Sequence, residues 1–334
     1  MNILWIKDGK IGHEKQVKAL LDEISKTEDI TVFEEEYKIS KFKRFSNVIE
    51  YFLGSFYNFD VHGTYKVSGI YDYSFSVYDK KDINIIIGAG TGVHIRILEI
   101  KRHLKISFKR NALSISVLVP NYFKKDFDII CAPFHDSYKL PVNDNVLYFE
   151  GSLANVSNQE VDEGIGLIGI GGKNKHYEFD ENKLIEQIEY IASIYPNKKW
   201  HIFSSRRTST KMIQELNLLS KNFTNIFLVQ EGFDKMIKKA SIKIITKDSM
   251  NMVYESISTK GKTVLFSMKY FKKNKVTKQI DKLIQNRQVG YLEHSKMVDG
   301  LSKITLQQQN EYHEIFSEVE KVAFKLAKQI EKKI

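Results

Sequence analysis

Along the whole chain, short runs rich in Ile and Val close on a Gly- or Ser-containing turn and give way to a longer helical pattern. That alternation predicts an α/β fold with parallel sheets, because parallel strands need crossover helices and strands covered on both faces read as continuous apolar runs. In the first half, strands are predicted at 2–6, 29–35, 83–87, 114–118, 127–131 and 146–148, with helices at 12–25, 39–52 and 92–104. In the second half, strands are predicted at 164–169, 199–203, 225–229, 242–246 and 263–267, with helices at 181–195, 208–219, 234–240, 250–259 and 275–286. Two α/β sheets of similar size result, and 334 residues suit two domains. The polar stretch EGSLANVSNQEVDE, Glu150 to Glu163, marks the junction. The expected domains are 1–152 and 164–305, joined by a linker at 153–163. The segment 306–334 sets Ile315, Val319, Val322, Phe324, Leu326 and Ile330 at spacings that suit one helical face. It predicts a long C-terminal helix packing back toward the first domain.

Several classes are excluded. A composition 42% hydrophobic and 12% aromatic supplies sizeable cores, so the chain is neither a disordered tail nor a mini-protein. The lone Cys131 makes no internal disulfide, which fits a reducing compartment. The opening MNILWIKDGK is too short an apolar run for a signal peptide, and runs such as Ile83 to Ala89 fall far short of a spanning helix. Lys and Arg outnumber Asp and Glu by 51 to 41, a net charge of +10. Nucleic acid, an anionic membrane surface and phosphorylated substrates are all consistent with that excess.

Open α/β sheets bind ligands beyond the carboxyl ends of their strands, where helix N-termini present free N–H groups. The strand-to-helix loops are therefore where chemistry is sought. In the first, Asp8-Gly9-Lys10-Ile11-Gly12-His13, the glycines allow a tight turn. A neutral His13 at a helix start, tuned by Asp8 or Glu14, would deprotonate an acceptor hydroxyl. The alternative is that Asp8 caps the turn and His13 is a surface residue. In the second, Gly88-Ala89-Gly90-Thr91-Gly92, a phosphate cradle and tight helix–strand packing explain the glycines equally well. The third, Gly169-Ile170-Gly171-Gly172-Lys173, admits a phosphate and adds a charge without being a Walker sequence. In the fourth, Ser204 to Ser209, two arginines and four hydroxyls converge on a helix start, favouring an anion over a merely capped turn. In the fifth, Ser249 lies at a helix start and Glu255 about two turns later, so one helix would hold a phosphate at its end and a ribose along its flank. An N-cap followed by an exposed Glu accounts for the same string.

Together these loops resemble the family named after the plant "elongated mitochondria" fission protein, whose many bacterial members are described as candidate glycosyltransferases. The matching stretches are DGKIGHEKQ, IIIGAGTGV, FDIICAPFHD, GIGGKNKHY, SSRRTS and TKDSMNMVYES followed by TKGKTVLF, in order over most of the chain. The second-half pattern is also similar to the donor domain of GT-B glycosyltransferases such as the peptidoglycan N-acetylglucosaminyltransferase. The resemblance implies a GT-B architecture of two Rossmann-like domains facing a central cleft. It further implies that Glu255 binds the ribose, that Ser249 and Met250 meet the phosphates, and that His13 stands on the catalytic-base loop. The chain departs from the GT-B pattern at Asp248-Ser249-Met250, where the peptidoglycan enzyme has a glycine turn. It departs again at Lys260-Gly261-Lys262, where Gly-Lys-Pro or Gly-Leu-Pro is common.

The expected function is transfer of a sugar from a nucleotide-sugar donor to a hydroxyl of a cell-surface glycan or lipid-linked acceptor, with inversion in one displacement. His13, assisted by Asp8, takes the acceptor proton. Gly171, Gly172, Lys173, Ser205, Arg206, Arg207, Ser249, Met250 and Glu255 hold the donor, and Gly12, Gly90 and Thr91 line the acceptor side. No metal and no resident cofactor is expected, the nucleotide sugar being a co-substrate. The one DxD string, Asp126-Phe127-Asp128, runs straight into an apolar strand. His135-Asp136 takes a lower place, a satisfied structural histidine being the better account. The rival readings are a non-catalytic adaptor, which binds no nucleotide, and a nucleotide-sugar epimerase, which needs no acceptor.

Two first-half segments mix bases with apolar residues, 41–59 and 94–110. As a helix, the first would sink Phe42, Phe45, Ile49, Phe52 and Leu53 into an anionic membrane and offer Lys41, Lys43 and Arg44 to headgroups. Core packing with a solvated basic edge is the commoner explanation of such a stretch. Nucleic acid is not an expected partner, because the bases are spread over both halves with no helix-turn-helix, RNP or finger spacing. The expected location is the cytoplasm, peripheral on the inner face of the membrane.

Overall fold

The computed structural model describes residues 1–56, 82–140, 144–297, 301–307 and 315–334. They fall into two compact units, Met1–Leu153 with Glu318–Ile334, and Ala154–Ser317. Both are α/β with a mainly parallel sheet, the fold class expected from the alternating runs.

The first unit holds six parallel strands, β1 (Asn2–Lys7), β2 (Thr31–Glu36), β3 (Ile85–Ala89), β4 (Leu113–Val117), β5 (Ile129–Pro133) and β6 (Val146–Phe149), in the order β2-β1-β3-β4-β5-β6. Strands β3, β4 and β5 are buried along their whole length, as strands with cover on both faces must be. At the edge, β2 carries the polar run Glu34 to Glu36. Helices α1 (Ile11–Ile24), α2 (Lys41–Phe56) and α3 (His94–Phe108) lie in the first three crossovers, and short 3-10 turns lie in the last two. The chain steps to one side from β1 to β2 and to the other side from β3 onward, so the loops leaving β1 and β3 part over a switch point.

Between β6 and the end of the chain, the C-terminal helix is shorter than 306–334. As α9 (Glu318–Glu331) it packs on α1, burying Val319, Val322, Ala323, Leu326 and Ile330. Phe324 is exposed rather than on the packed face, and residues 308–314 lie outside the described residues.

The second unit has the order β13-β12-β11-β10-β7-β8-β9. Its strands are β7 (Asp162–Ile170), β8 (Lys199–Ser204), β9 (Ile226–Val229), β10 (Ala240–Ile245), β11 (Lys262–Leu265), β12 (Gly290–Lys296) and β13 (Ser302–Gln307), with helices α4 (Glu181–Ile194), α5 (Thr210–Asn222), α6 (Phe233–Lys239), α7 (Met250–Ile257) and α8 (Lys275–Gln285). Asp162 and Glu163 belong to β7 rather than to a linker, and Leu306 belongs to β13 rather than to a helix. The antiparallel pair β12–β13 is an addition to the expected strands. Glu293, Lys296 and Lys303 give it the polar look of an exposed sheet edge rather than an apolar run.

In this sheet the switch point lies between β7 and β10. Helix α7 starts there, and its far end is fastened by Lys243 of β10, which is fully buried. The Lys243 Nζ donates to the carbonyls of Ser256 at 2.6 Å and Lys260 at 2.7 Å and to the Thr259 hydroxyl at 2.7 Å, satisfying the chain end of the helix. Burial pushes this amine down to about 7.

Candidate functional site

At the switch point of the first unit, Asp8 directly follows β1 and His13 stands in the first turn of α1. The His13 Nδ1 lies 2.9 Å from Asp8 Oδ2. Asp8 is held in turn by the Lys10 amide at 3.0 Å and the Lys10 ammonium at 3.3 Å. Its side chain is 4% exposed and that of His13 is 25% exposed, so the carboxylate is a sheltered support and the ring is reachable. Burial alone would raise the Asp8 carboxyl, but the hydrogen bond and charge of His13, with Lys10, outweigh it and the pKa is lowered. Asp8 therefore stays ionised and fixes the tautomer with the proton on Nδ1. The His13 Nε2 has no hydrogen-bond partner among the described residues.

The glycine loop after β3 makes room for this pair. Gly90 has φ +85°, and a Cβ there would sit 2.3 Å from His13 Nδ1. At Gly92 a Cβ would sit 3.3 Å from the Asp8 Cβ. Close packing against Asp8 and His13 accounts for these glycines, with Thr91 accepting from Arg44 Nη1 at 3.4 Å. Gly12 lies inside α1, where its carbonyl accepts from Gln16. Next to the pair is a residue the sequence did not single out. His94, at the start of α3, is 3% exposed and meets Ser116 Oγ at 2.8 Å. That hydroxyl donates to the Leu118 carbonyl at 2.7 Å, so His94 Nε2 must be the donor to it. Burial, reinforced by His13, pushes His94 down to about 3, so the ring stays neutral. Leu118 itself sits at φ 73°, a strained conformation at the carboxyl end of β4.

In the second unit the expected donor loops meet, but around an internal anion. Asp248, whose side chain is wholly buried, accepts from the Gly172 amide at 2.9 Å and pairs with Arg207 Nη2 at 2.7 Å, both through Oδ2. The Gly171 amide donates to Thr246 Oγ1 at 2.8 Å, and Arg207 Nη1 donates to the Gly172 carbonyl at 3.1 Å. A Cβ on Gly171 would fall 2.1 Å from Asp248 Oδ2, and one on Gly172 would fall 2.0 Å from the Arg207 carbonyl. The glycine turn is thus closed on Asp248 and Arg207, and Asp248 Oδ1 is buried with no partner among the described residues.

The remaining donor candidates are placed nearby. Lys173 and Arg206 are exposed. Ser205 accepts from the Arg207 amide within a turn capped by Ser209, so that loop is partly structural. Ser249 is the N-cap of α7 without a side-chain capping bond, Met250 opens the helix, and Glu255 lies half-buried along it.

Other candidates are structural. Asp128 pairs with Lys101 at 2.7 Å and accepts from the Ser114 amide, while Asp126 accepts from Tyr51. His135 lies 3.9 Å from Asp136, which is paired with Lys139 at 2.9 Å. Among the described residues no group of three or more His, Cys, Asp or Glu is placed to hold a metal ion. No described helix is long and apolar enough to cross a membrane.

On α2 the core-packing explanation fails: Phe42 is 84% and Phe45 61% exposed, with Ile49, Phe52 and Leu53 also exposed, while Asn47 and Tyr51 face inward. Lys43 is exposed, whereas Arg44 is turned in toward Thr91. Residues 57–59 of that segment lie outside the described residues.

The family model described as Mitochondrial fission ELM1 matches residues 11–330. No curated protein is detectably similar in sequence. Among solved structures, the UDP-GlcNAc 2-epimerase from Neisseria meningitidis bound to UDP-GlcNAc is similar at a TM-score of 0.51 and 11% identity, over 99% of this chain and 100% of that one. A Listeria monocytogenes protein described as a UDP-N-acetylglucosamine 2-epimerase is similar at 0.50 and 10% identity, over 84% and 81% of the two chains. The Escherichia coli heptosyltransferase WaaC with ADP is similar at 0.42 and 6% identity, over 80% and 87%. At such identities the likeness to the two 2-epimerase structures, at TM-scores of 0.51 and 0.50, shows the fold alone: two Rossmann-like units of the GT-B kind.

Proposed function

The chain belongs to the mitochondrial fission ELM1 family, and from that premise we propose that it is a GT-B-type glycosyltransferase. It moves a sugar from a nucleotide-sugar donor to a hydroxyl of a cell-surface glycan or lipid-linked acceptor. The observation that carries this reading is the Asp8–His13 pair, 2.9 Å apart, with Nε2 of His13 unpartnered among the described residues. His13 accepts the hydroxyl proton as the new C–O bond forms and the nucleotide departs, while Asp8 steadies the imidazolium. Inversion follows from the single displacement.

On the donor side Glu255 takes the ribose, and Ser249 and Met250 meet the phosphates beside Gly171 and Gly172. Lys173 and Arg206 then offset the departing charge, with Ser205 shaping their loop and Arg207 holding it against Asp248. Gly12, Gly90 and Thr91 shape the acceptor side. The proposed reaction draws on no metal or resident cofactor, and UDP-sugars are the first donors to test.

One observation favours the adaptor instead: the amides of Gly171 and Gly172 are already taken by Thr246 and Asp248. A thermal-shift screen with UDP-, GDP-, ADP- and CMP-sugars separates the readings, because a ligand bound only by the native state raises its stability. Stabilisation by one base class, lost in Glu255→Ala, supports a donor site. No response to any nucleotide favours the adaptor, and conversion of a nucleotide sugar without acceptor identifies the epimerase.

The exposed apolar stripe of α2, flanked by Lys43, supports a peripheral seat on an anionic membrane at the cytoplasmic face, where a lipid-linked acceptor is presented. Co-sedimentation with anionic vesicles should be lost in Phe45→Asp. Equal sedimentation of the variant would remove α2 from the membrane.

A further inference from the structure

A second feature of the β10 carboxyl end lies one residue before Asp248. A 400 Å³ cavity is lined by Tyr177, Lys247, Met268, Tyr270, Ile280 and Asp281, with the exposed Lys269 at its rim. It is built by Ile280 and Asp281 of α8 together with three loops of the second unit: the turn after β7, the β10–α7 loop and the segment after β11. The first and last are stitched together, since the Glu178 amide donates to the Lys269 carbonyl at 2.8 Å and the Phe271 amide to the His176 carbonyl at 3.0 Å. The larger cavity, 760 Å³, lies at the opposite, amino end of the strands, around Ser241, Lys262 and Thr263.

Within the smaller cavity the charges do not balance locally. Lys247 is largely enclosed, and its Nζ makes no hydrogen bond or ion pair among the described residues. The nearest carboxylate acting on it, Asp281, lies beyond ion-pair distance and sits 3.9 Å from Lys273 instead. Tyr177, Met268 and Ile280, each less than a tenth exposed, supply firm apolar and aromatic walls, and Tyr270 adds a half-exposed ring. A partly buried ammonium without a counter-ion in the protein gains from an anion brought by a ligand. Lys247 and the rim Lys269 against Asp281 leave a net charge of +1, which suits a monoanion rather than a phosphate dianion. The volume and the aromatic walls suit a single sugar ring.

We propose that this cavity binds a sugar acid, its carboxylate paired with Lys247 and its ring lying between Tyr177 and Tyr270. The proposal rests on the donor reading in one respect only: it makes the transferred sugar, or a free sugar acid acting at the same place, a carboxylated one. Burial also lowers the Lys247 amine to about 8, which leaves it largely protonated at neutral pH.

The test measures the rate at which trinitrobenzenesulfonate labels Lys247, read by peptide mass spectrometry, with and without D-glucuronate or D-glucose. D-Glucuronate should slow labelling and D-glucose should not. In a parallel saturation-transfer experiment, Lys247→Met should weaken D-glucuronate binding by about tenfold or more, while Lys247→Arg, which keeps the charge, retains most of it. Circular dichroism establishes that both variants fold. Equal protection by the two sugars, no protection by either, or undiminished binding to folded Lys247→Met overturns the proposal. UDP-glucuronate compared with UDP-glucose separates the two readings. A nucleotide response with no advantage for the acid sinks the cavity proposal and leaves the donor site. Binding of D-glucuronate with no response to any nucleotide leaves the cavity and sinks the donor site.

Discussion

The two units present the same design, a glycine-bearing loop at the switch point of a parallel sheet, and use it in opposite ways. In the first, the loop at Gly90 and Gly92 clears space for a side-chain pair and leaves one ring nitrogen, His13 Nε2, without a partner. In the second, the loop at Gly171 and Gly172 is drawn onto an internal carboxylate, and its amides and Arg207 are spent on holding the fold. A glycine after a strand therefore states only that something approaches the backbone closely. Whether that neighbour is a ligand or the protein's own side chain is decided by partners far away in sequence.

The sharpest way to break this contrast is at a pair of glycines that share a positive φ. Gly90→Ala meets both a strained φ of +85° and His13 at 2.3 Å, whereas Gly232→Ala meets a φ of +90° with nothing within 4 Å. Chemical denaturation should show a loss of about 3 kcal/mol for the first and about 1 kcal/mol for the second. Equal losses would mean that the His13 ring does not lie against Gly90.

Asp248→Ala should cost about 2 kcal/mol, because the Gly172 amide and Arg207 lose their acceptor, and Asp248→Asn should cost less because it keeps one. The same variants sharpen the comparison. If the second loop is a phosphate site held shut by its own carboxylate, Asp248→Ala binds UDP more tightly than the parent in calorimetry. Unchanged affinity would make Asp248 purely structural.

The smallest effect is expected at Lys247. Replacing this partly buried ammonium, unpaired among the described residues, by Met should stabilise the protein by about 1 kcal/mol at pH 7. The sign follows from the folded amine at about 8 against an ordinary 10.5. Between those values the unfolded chain binds more protons, so the parent gains stability as pH rises and the advantage of Met shrinks. The groups around the amine are Tyr177 from the turn after β7, Met268, Lys269 and Tyr270 from the segment after β11, and Ile280 and Asp281 of α8. A gain that does not vary from pH 7 to 10 would show that Lys247 is paired in solution.

Much of the fold was legible because burial on both faces writes itself into sequence: Ile83 to Ile87 reads as a central strand, and β3 runs there from Ile85 to Ala89. Strands β12 and β13 were not legible, since a solvated edge pair such as Glu293 to Lys296 carries no apolar run. Nor was the α2 face, because Phe42 and Phe45 have the spacing of a core stripe whichever way they point. At the site, Asp8 and His13 were legible since five residues of turn bring them together. The Asp248–Arg207 pair was not, because its partners come from separate crossovers. His94 was hidden as well, its role depending on Ser116 on the neighbouring strand.

The central claim is that His13 Nε2 is the working base of a sugar transfer, and the most direct measurement is the initial rate of labelled-sugar transfer from the responsive nucleotide sugar to a membrane-lipid acceptor fraction. Folded His13→Ala should lose about 10²–10⁴-fold of that rate with donor binding unchanged. Full activity in His13→Ala would contradict the account.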